Sequence, residues 1–197
     1  MATRRGPRFQ ECRRLGVNVC GHPKAMKRAN APAFAKRRKV SEYGMQLTEK
    51  QKIKAYYGIL EKQLRRYFAA AQSKKGKTGD VLMNMLECRL DNIVYRAGIG
   101  GSIRQARQLV THGHIRVNGE KITIPSYQVK VGDTVALKEK TRSNEHLNAN
   151  FLDTQAFSVP YIEKQRDAFS GKLLRLPLRE EIPVEVNDSM VIEFYSR

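Results

Sequence analysis

Between Ser102 and Gly119 the chain carries a helix start, a helix stop and a hairpin turn in close succession. Few other backbones satisfy all three at once. Ser102 followed by Gln105 is a capping box, in which the serine oxygen takes an N–H of the first turn and the glutamine returns a bond. In the short helix this opens, Ile103, Ala106, Leu109 and Val110 fall on one side, and Arg104, Arg107, Gln108 and Thr111 on the other. Gly113 ends it. His114, Ile115, Arg116 and Val117 then alternate as a half-buried strand does, and Asn118-Gly119 supplies the positive-φ pair of a tight hairpin. A returning strand is expected from Glu120 to Ile124, a third through Val129 and Val131 to Gly132-Asp133, and a fourth from Val135 and Leu137. The hairpin therefore holds a basic helix against a small antiparallel sheet. Arg89, Arg96, Arg104, Arg107, His112, His114 and Lys121 lie near the helix ends and the first hairpin.

Upstream, Thr48 followed by Gln51 reads as another capping box, and Ile53, Tyr56, Tyr57, Leu60, Leu64, Tyr67, Phe68 and Ala71 recur at helical spacing. One long amphipathic helix is expected, its other face carrying Lys50, Lys52, Lys54, Lys62, Arg65 and Arg66. Aromatics that share a stripe with aliphatics are core residues, not stacking platforms. After the turn at Ser73–Gly79, Thr78 or Asp80 caps a further helix with an apolar face of Val81, Leu82, Met85, Leu86, Leu90, Ile93 and Val94, ending at Gly98. The last third reads as a short helix in 138–151, two strands flanking a turn at Ser170-Gly171, and a terminal strand in which Val191, Glu193 and Tyr195 alternate with their neighbours.

Charge then narrows the partner. The 197 residues hold 37 Lys and Arg against 19 Asp and Glu, a net charge of +18. Such a field gathers polyanions, so nucleic acid and an anionic membrane are the two partners to separate. Within the first forty residues twelve side chains are basic, Arg4, Arg5, Arg8, Arg13, Arg14, Arg37 and Arg38 among them, and the one acid is Glu11. This stretch reads as an arm that orders on RNA. Fixed guanidinium forks suit phosphates, because arginine binds them bidentately where lysine acts as a point charge. The basic helices lack an exposed aromatic-rich face, which argues against direct membrane binding. No apolar run is long enough to span a bilayer, and the first residues lack the apolar centre of a secretory signal, so a soluble protein of a reducing, bacterial-type cytoplasm is expected, with a processed organelle protein fitting equally. The odd cysteine count, Cys12, Cys20 and Cys88, agrees with that compartment. His112 and His114 have no ligand-type neighbours at metal spacing and are read as phosphate, ribose or turn residues.

The run LECRLDNIVYRAGIGGSIRQARQLVTHGHIRVNGEKITIPSYQVKVGD resembles the bacterial-type ribosomal protein S4 family of the small subunit. EYGMQLTEKQKIKAYYGILEKQLRRYF and the ending VIEFYSR are similar to the same family, in matching order from about Glu42 onward. The resemblance implies an α+β fold with a basic N-terminal arm over 1–45, an all-helical domain over 46–88 to which residues 178–197 return, and an RNA-binding module of helices on an antiparallel sheet over 89–177. It implies a non-catalytic structural constituent of the small subunit that binds 16S-type rRNA as a primary binder and nucleates assembly of the subunit body. Relatives touch the third and fifth small-subunit proteins, sit where mRNA enters, influence decoding accuracy, and in some cases repress their own messenger. Carried over by position, Arg89, Arg96, Arg104, Arg107, His112, His114 and Lys121 face RNA. The arm arginines, with Lys50, Lys54 and Arg65 of the basic helix face, join them on charge grounds. Asp91 is expected to order neighbouring arginines, and Cys88 to be a small buried hydrophobe.

One departure concerns zinc. Many relatives carry four cysteines in the N-terminal arm; here Cys12, Cys20 and His22 are an incomplete set, so no metal or other cofactor is expected. Modules like 89–138 also occur on pseudouridine synthases, tyrosyl-tRNA synthetases and compact rescue factors. The first two need a catalytic domain, for which there is no nucleotide loop or nucleophile motif, and the last would lack the helical region from Thr48 to Arg66.

Overall fold

A computed structural model describes residues 6–27, 41–152 and 159–196. The chain divides into two compact units, Met1–Gly79 with Val184–Arg197, and Asp80–Pro183. Eight α-helices and five strands lie among the described residues, an α+β fold.

The first unit begins with α1, Arg8–Leu15, which follows Pro7 and ends where Gly16 adopts φ 74°. Its Cys12 and Leu15 close a small core with Val19, Ala25 and Ala55, against which Phe9 and Val17 pack. Part of the stretch read as an arm thus forms a helix with a small apolar core of its own. Apolar residues at Phe9, Cys12 and Leu15 sit between the arginines at helical spacing, enough to bury one face. Arg4, Arg5, Arg37 and Arg38 lie outside the described residues.

The expected long helix is two helices, α2, Glu42–Tyr56, and α3, Glu61–Gln72. The cap of α2 is Ser41, whose Oγ accepts from the Gly44 N–H; Thr48 instead donates its hydroxyl to the Gly44 carbonyl inside the helix. Gly58 at φ 59° breaks the run, and the Ile59 N–H returns to the Lys54 carbonyl at 3.1 Å, a six-to-one closure that a left-handed residue permits. Apolar spacing continues across this break because Tyr57 and Ile59 are both buried. The predicted terminal strand is also a helix, α8, Asp188–Ser196. Asn187 caps it by accepting from the Met190 N–H, and its Phe194 and Tyr195 rings lie against Tyr43 and Phe68. Alternation was the weaker period here: Val191, Phe194 and Tyr195 also share one helix face.

In the second unit, α4, Thr78–Glu87, and α5, Leu90–Arg96, replace the single helix expected up to Gly98. The extended backbone at Arg89 interrupts it, and the freed groups pair with the segment read as a third strand. The Leu90 N–H donates to the Tyr127 carbonyl at 2.9 Å, and the Val129 N–H to the Cys88 carbonyl at 2.8 Å. That segment forms no strand of its own: Val129 pairs with the helix break, and at its end the Gly132 N–H donates to the Leu173 carbonyl at 2.7 Å. α6 spans Ile103–Thr111, and the sheet is antiparallel in the order β2-β1-β3-β5-β4, with β1 Ile115–Val117, β2 Glu120–Lys121, β3 Thr134–Leu137, β4 Ile162–Gln165 and β5 Ser170–Leu173. The return strand is shorter than expected, and Ser170-Gly171 lies within β5; the turn before it is made by 166–169, with Phe169 at φ 47°. A 3-10 turn, Glu139–Thr141, and α7, Glu145–Leu152, follow β3. The core joins Leu90, Ile93, Val94 and Ala97 of α5 and Ala106 and Val110 of α6 to Ile115, Val117, Val135, Leu137 and Leu173 of the sheet. It excludes water from one sheet face, the main source of the unit's cohesion.

Candidate nucleic-acid interface

The site grows from the caps of α6. Ser102 Oγ accepts from the Gln105 N–H at 3.2 Å, and Gln105 Oε1 accepts from the Gly101 N–H at 2.8 Å, one residue before the reciprocal bond of an ideal box. With the entry angle held this way, Ala106, Leu109 and Val110 are buried and Arg104 and Gln108 exposed. At the other end Gly113 takes φ 74° and the His114 N–H reaches the Leu109 carbonyl at 3.0 Å. A Cβ at Gly113 would stand 2.2 Å from Cε of Lys121. Glycine is needed there for the left-handed turn, over which the end of the flexible Lys121 side chain lies. Asn118 and Gly119 both have positive φ, 50° and 87°, and the Asn118 side chain bridges the Asp133 carboxylate at 2.8 Å and the Thr134 N–H at 2.9 Å. The hairpin is thereby pinned to β3.

Register makes the electrostatics unusual. Arg116 of β1 stands directly opposite Lys121 of β2, and both are exposed. Like charges facing each other across strands are destabilising in isolation. Exposed Arg104 and His112 stand at the start and end of α6, and half-buried His114 shares Nδ1 with the Thr141 hydroxyl at 3.0 Å. No acid of β1 or β2 pairs with Arg116 or Lys121 among the described residues; Glu120 is opposite Val117. Arg116 escaped the sequence reading as a site residue, though its signal was present: a basic residue at the outward position of a strand ending in Asn-Gly.

Other predicted residues are turned inward. Arg89 is fully buried and grips Asp91 with two bonds, Nε to Oδ1 at 3.0 Å and Nη2 to Oδ2 at 2.7 Å. It cannot face RNA as expected; it braces the break between α4 and α5. Arg107 reaches the same carboxylate at 3.4 Å, and Arg96 makes two bonds to Glu87 at 3.2 and 2.9 Å. Glu87, itself fully buried, also accepts from Asn92 at 2.6 Å and from the Tyr161 hydroxyl at 3.0 Å. Burial raises the Asp91 carboxyl against the pull of the Arg89 and Arg107 guanidiniums, and burial beside Glu87 raises the Tyr161 phenol. Asp91 orders arginines, as the RLDN reading anticipated. The aspartate two positions after Arg89 was the local sign of that pairing.

In the first unit Lys50 and Lys54 both donate to Glu61, at 3.1 and 2.9 Å, and Lys50 lies 4.2 Å over the Phe194 ring. Lys50 is buried, so it braces α2, α3 and α8 and is not an exposed RNA contact. Lys54 is held mostly covered by the same carboxylate. Arg65 stays exposed on α3, as do Arg8 and Arg14 on α1, while Arg13 is half-buried.

The cysteines and histidine of the N-terminal stretch are engaged with other partners. Cys12 and Cys20 both point at the Asn18 amide oxygen, and the His22 Nδ1 accepts from the Lys24 N–H at 3.1 Å. No fourth ligand joins them, and no group of three or more His, Cys, Asp or Glu side chains is gathered for a metal among the described residues. No helix among those residues is long and apolar enough to cross a membrane.

Comparison with known proteins agrees with this geometry. Residues 3–87 match the ribosomal protein S4/S9 N-terminal domain and residues 88–135 the S4 domain. Over the full length of both chains the protein is 54% identical to the small ribosomal subunit protein uS4 of Finegoldia magna and 52% identical to uS4B of Clostridium acetobutylicum. It is 47% identical, again over both full lengths, to uS4 of Akkermansia muciniphila. With the two family models together spanning residues 3–135 and relatives about half identical over both full lengths, the chain belongs to the S4 family of small ribosomal subunit proteins.

Proposed function

We propose that this chain, a structural and not a catalytic protein of the small ribosomal subunit, is a primary binder of small-subunit rRNA and acts in the cytoplasmic ribosome. The observation that carries the reading is the Arg116–Lys121 cross-strand pair, two exposed cations face to face on the hairpin, which an RNA backbone neutralises. Its place within the matched S4 domain supports the same assignment. Nucleation of subunit assembly, contacts with the third and fifth small-subunit proteins, an influence on decoding where mRNA enters, and repression of its own messenger follow as finer parts of this proposal.

The test is binding to a small-subunit rRNA transcript and to an unrelated structured RNA of equal length, over a salt series. Specific binding should exceed nonspecific binding at every salt concentration, and Arg116→Gln or Lys121→Gln should each lower the salt slope by about 0.9 for a duplex-like contact. Equal affinity for both RNAs would overturn the reading, since a net charge of +18 alone guarantees nonspecific binding.

A further inference from the structure

The small core of α1 contains a pair of thiols that no part of the RNA interface uses. Cys12 is fully buried on α1, and Cys20 is half-buried in the turn that follows. Their sulfurs share one partner: Cys12 Sγ lies 4.0 Å and Cys20 Sγ 3.6 Å from the Asn18 Oδ1. Asn18 is itself fixed, because its Nδ2 donates to the His22 carbonyl at 3.2 Å. The Cys20 thiol is near enough to help raise the Cys12 thiol above its usual range. The third cysteine, Cys88, is buried in the core of the other unit.

We propose that Cys12 and Cys20 form a hydroperoxide-sensitive dithiol that closes to an intramolecular disulfide. Cys20, the more exposed sulfur, is the first nucleophile. Its thiolate attacks a peroxide oxygen, the O–O bond breaks, and the leaving hydroxide takes a proton to become water, so that Cys20 becomes a sulfenic acid. Cys12 then gives up its proton, its sulfur attacks that of Cys20, and the S–O bond breaks with departure of a second water. Two electrons pass from the sulfur pair to one peroxide. Burial pushes the Cys12 thiol up to about 11, with Cys20 adding to the rise, so Cys12 is the resolving and not the attacking group. The Asn18 amide must give way as the sulfurs close to about 2.05 Å. The disulfide would tie α1 to the turn that carries Val19, holding the small core shut.

The experiment uses the full chain, reduced and then exposed to hydrogen peroxide under native conditions, with intact-mass analysis, thiol counting and peptide mapping. The expected result is loss of two of the three free thiols and of two hydrogen atoms, a cross-link between the peptides of Cys12 and Cys20, and reversal by dithiothreitol. Cys20→Ser should abolish the cross-link and Cys88→Ser should leave it intact. Because Cys20 is only half-buried, its serine variant is expected to keep the fold, and circular dichroism checks that. Retention of all three thiols, stable oxygen addition at Cys20 with Cys12 still alkylatable, or a cross-linked dimer in place of the internal bridge would each refute the proposal.

Discussion

Both units are organised around carboxylates that hold cations, but they use opposite chemistries. In the first, Glu61 is about a third exposed and gathers two lysines and the Tyr195 hydroxyl, at 2.8 to 3.1 Å. In the second, Asp91 and Glu87 are wholly buried and are gripped by the planar forks of Arg89 and Arg96. Lysine is a compact charge on a flexible stem, so the Glu61 cluster can be adjusted and screened; an arginine fork fixes two bonds at once and loses less freedom for each. Arg107 of α6 reaches the same Asp91 carboxylate, so the buried cluster ties α5 to the helix that carries Arg104. The arginine forks therefore fix the helix break and α6 against each other, and the softer lysine cluster joins α2, α3 and α8.

The sharpest way to break this contrast is Asp91→Asn. It leaves Arg89 buried and charged, and removing one partner of a buried pair costs about 3 to 5 kcal/mol. Urea unfolding of the full chain, read by circular dichroism, should show a loss of that order in the transition of the second unit. A loss below about 1 kcal/mol would mean that the buried fork is dispensable and the contrast between the units is empty.

Glu61→Gln should act less strongly. The site is partly screened by solvent, so a loss of about 1 to 2 kcal/mol is expected from the three weakened hydrogen bonds. The pH dependence discriminates better than the magnitude. Burial pushes the Glu61 carboxyl up, but hydrogen bonds from Lys54, Tyr195 and Lys50 outweigh it and hold the group at about 2, against an ordinary 4.5. A carboxyl depressed by folding stabilises the protein above its unfolded value, and the contribution drains away as pH falls from about 4.5 towards 2. Acid unfolding of the first unit should therefore flatten in the glutamine variant across that window. An unchanged acid limb would remove Glu61 from the account.

How legible these features are depends on whether their causes are local. The α6 helix, the Gly113 stop and the Asn118-Gly119 turn follow from contacts within a few residues, and the sequence reading and the structure agree there. Breaks at Gly58 and Arg89 are harder, because buried residues continue on both sides and an apolar stripe does not register a change of axis. α8 was misread because two periods fit the same nine residues and Asn187, its cap, carried the deciding signal. The buried charges differ in the same way: Asp91, two positions after Arg89, is a local sign of that pairing. Lys50 reads as surface charge, and only the position of Glu61 in three dimensions, eleven residues on, shows why it is buried.

Ser102→Ala gives a local reference for the larger effects. It deletes one cap bond to the Gln105 N–H at a half-buried helix start, and a loss of about 1 kcal/mol is expected in thermal unfolding. A much larger value would show that the α6 cap supports the buried arginines as well as its own first turn.

The smallest expected change in stability has the opposite sign. Arg116 and Lys121 face each other without an acid between them, so Arg116→Gln should relieve repulsion and stabilise the free protein by about 0.2 to 1 kcal/mol while weakening its binding to rRNA. Gains in stability with losses in binding are what a residue kept for a polyanion should show, because the fold bears the repulsion until phosphate relieves it. Measured together, a melting curve and an rRNA titration separate this from a structural role, for which both quantities would fall. If stability drops on substitution, the aliphatic stem of Arg116 is packing against the strand, and the charge of the hairpin is not what distinguishes it from the lysines around Glu61.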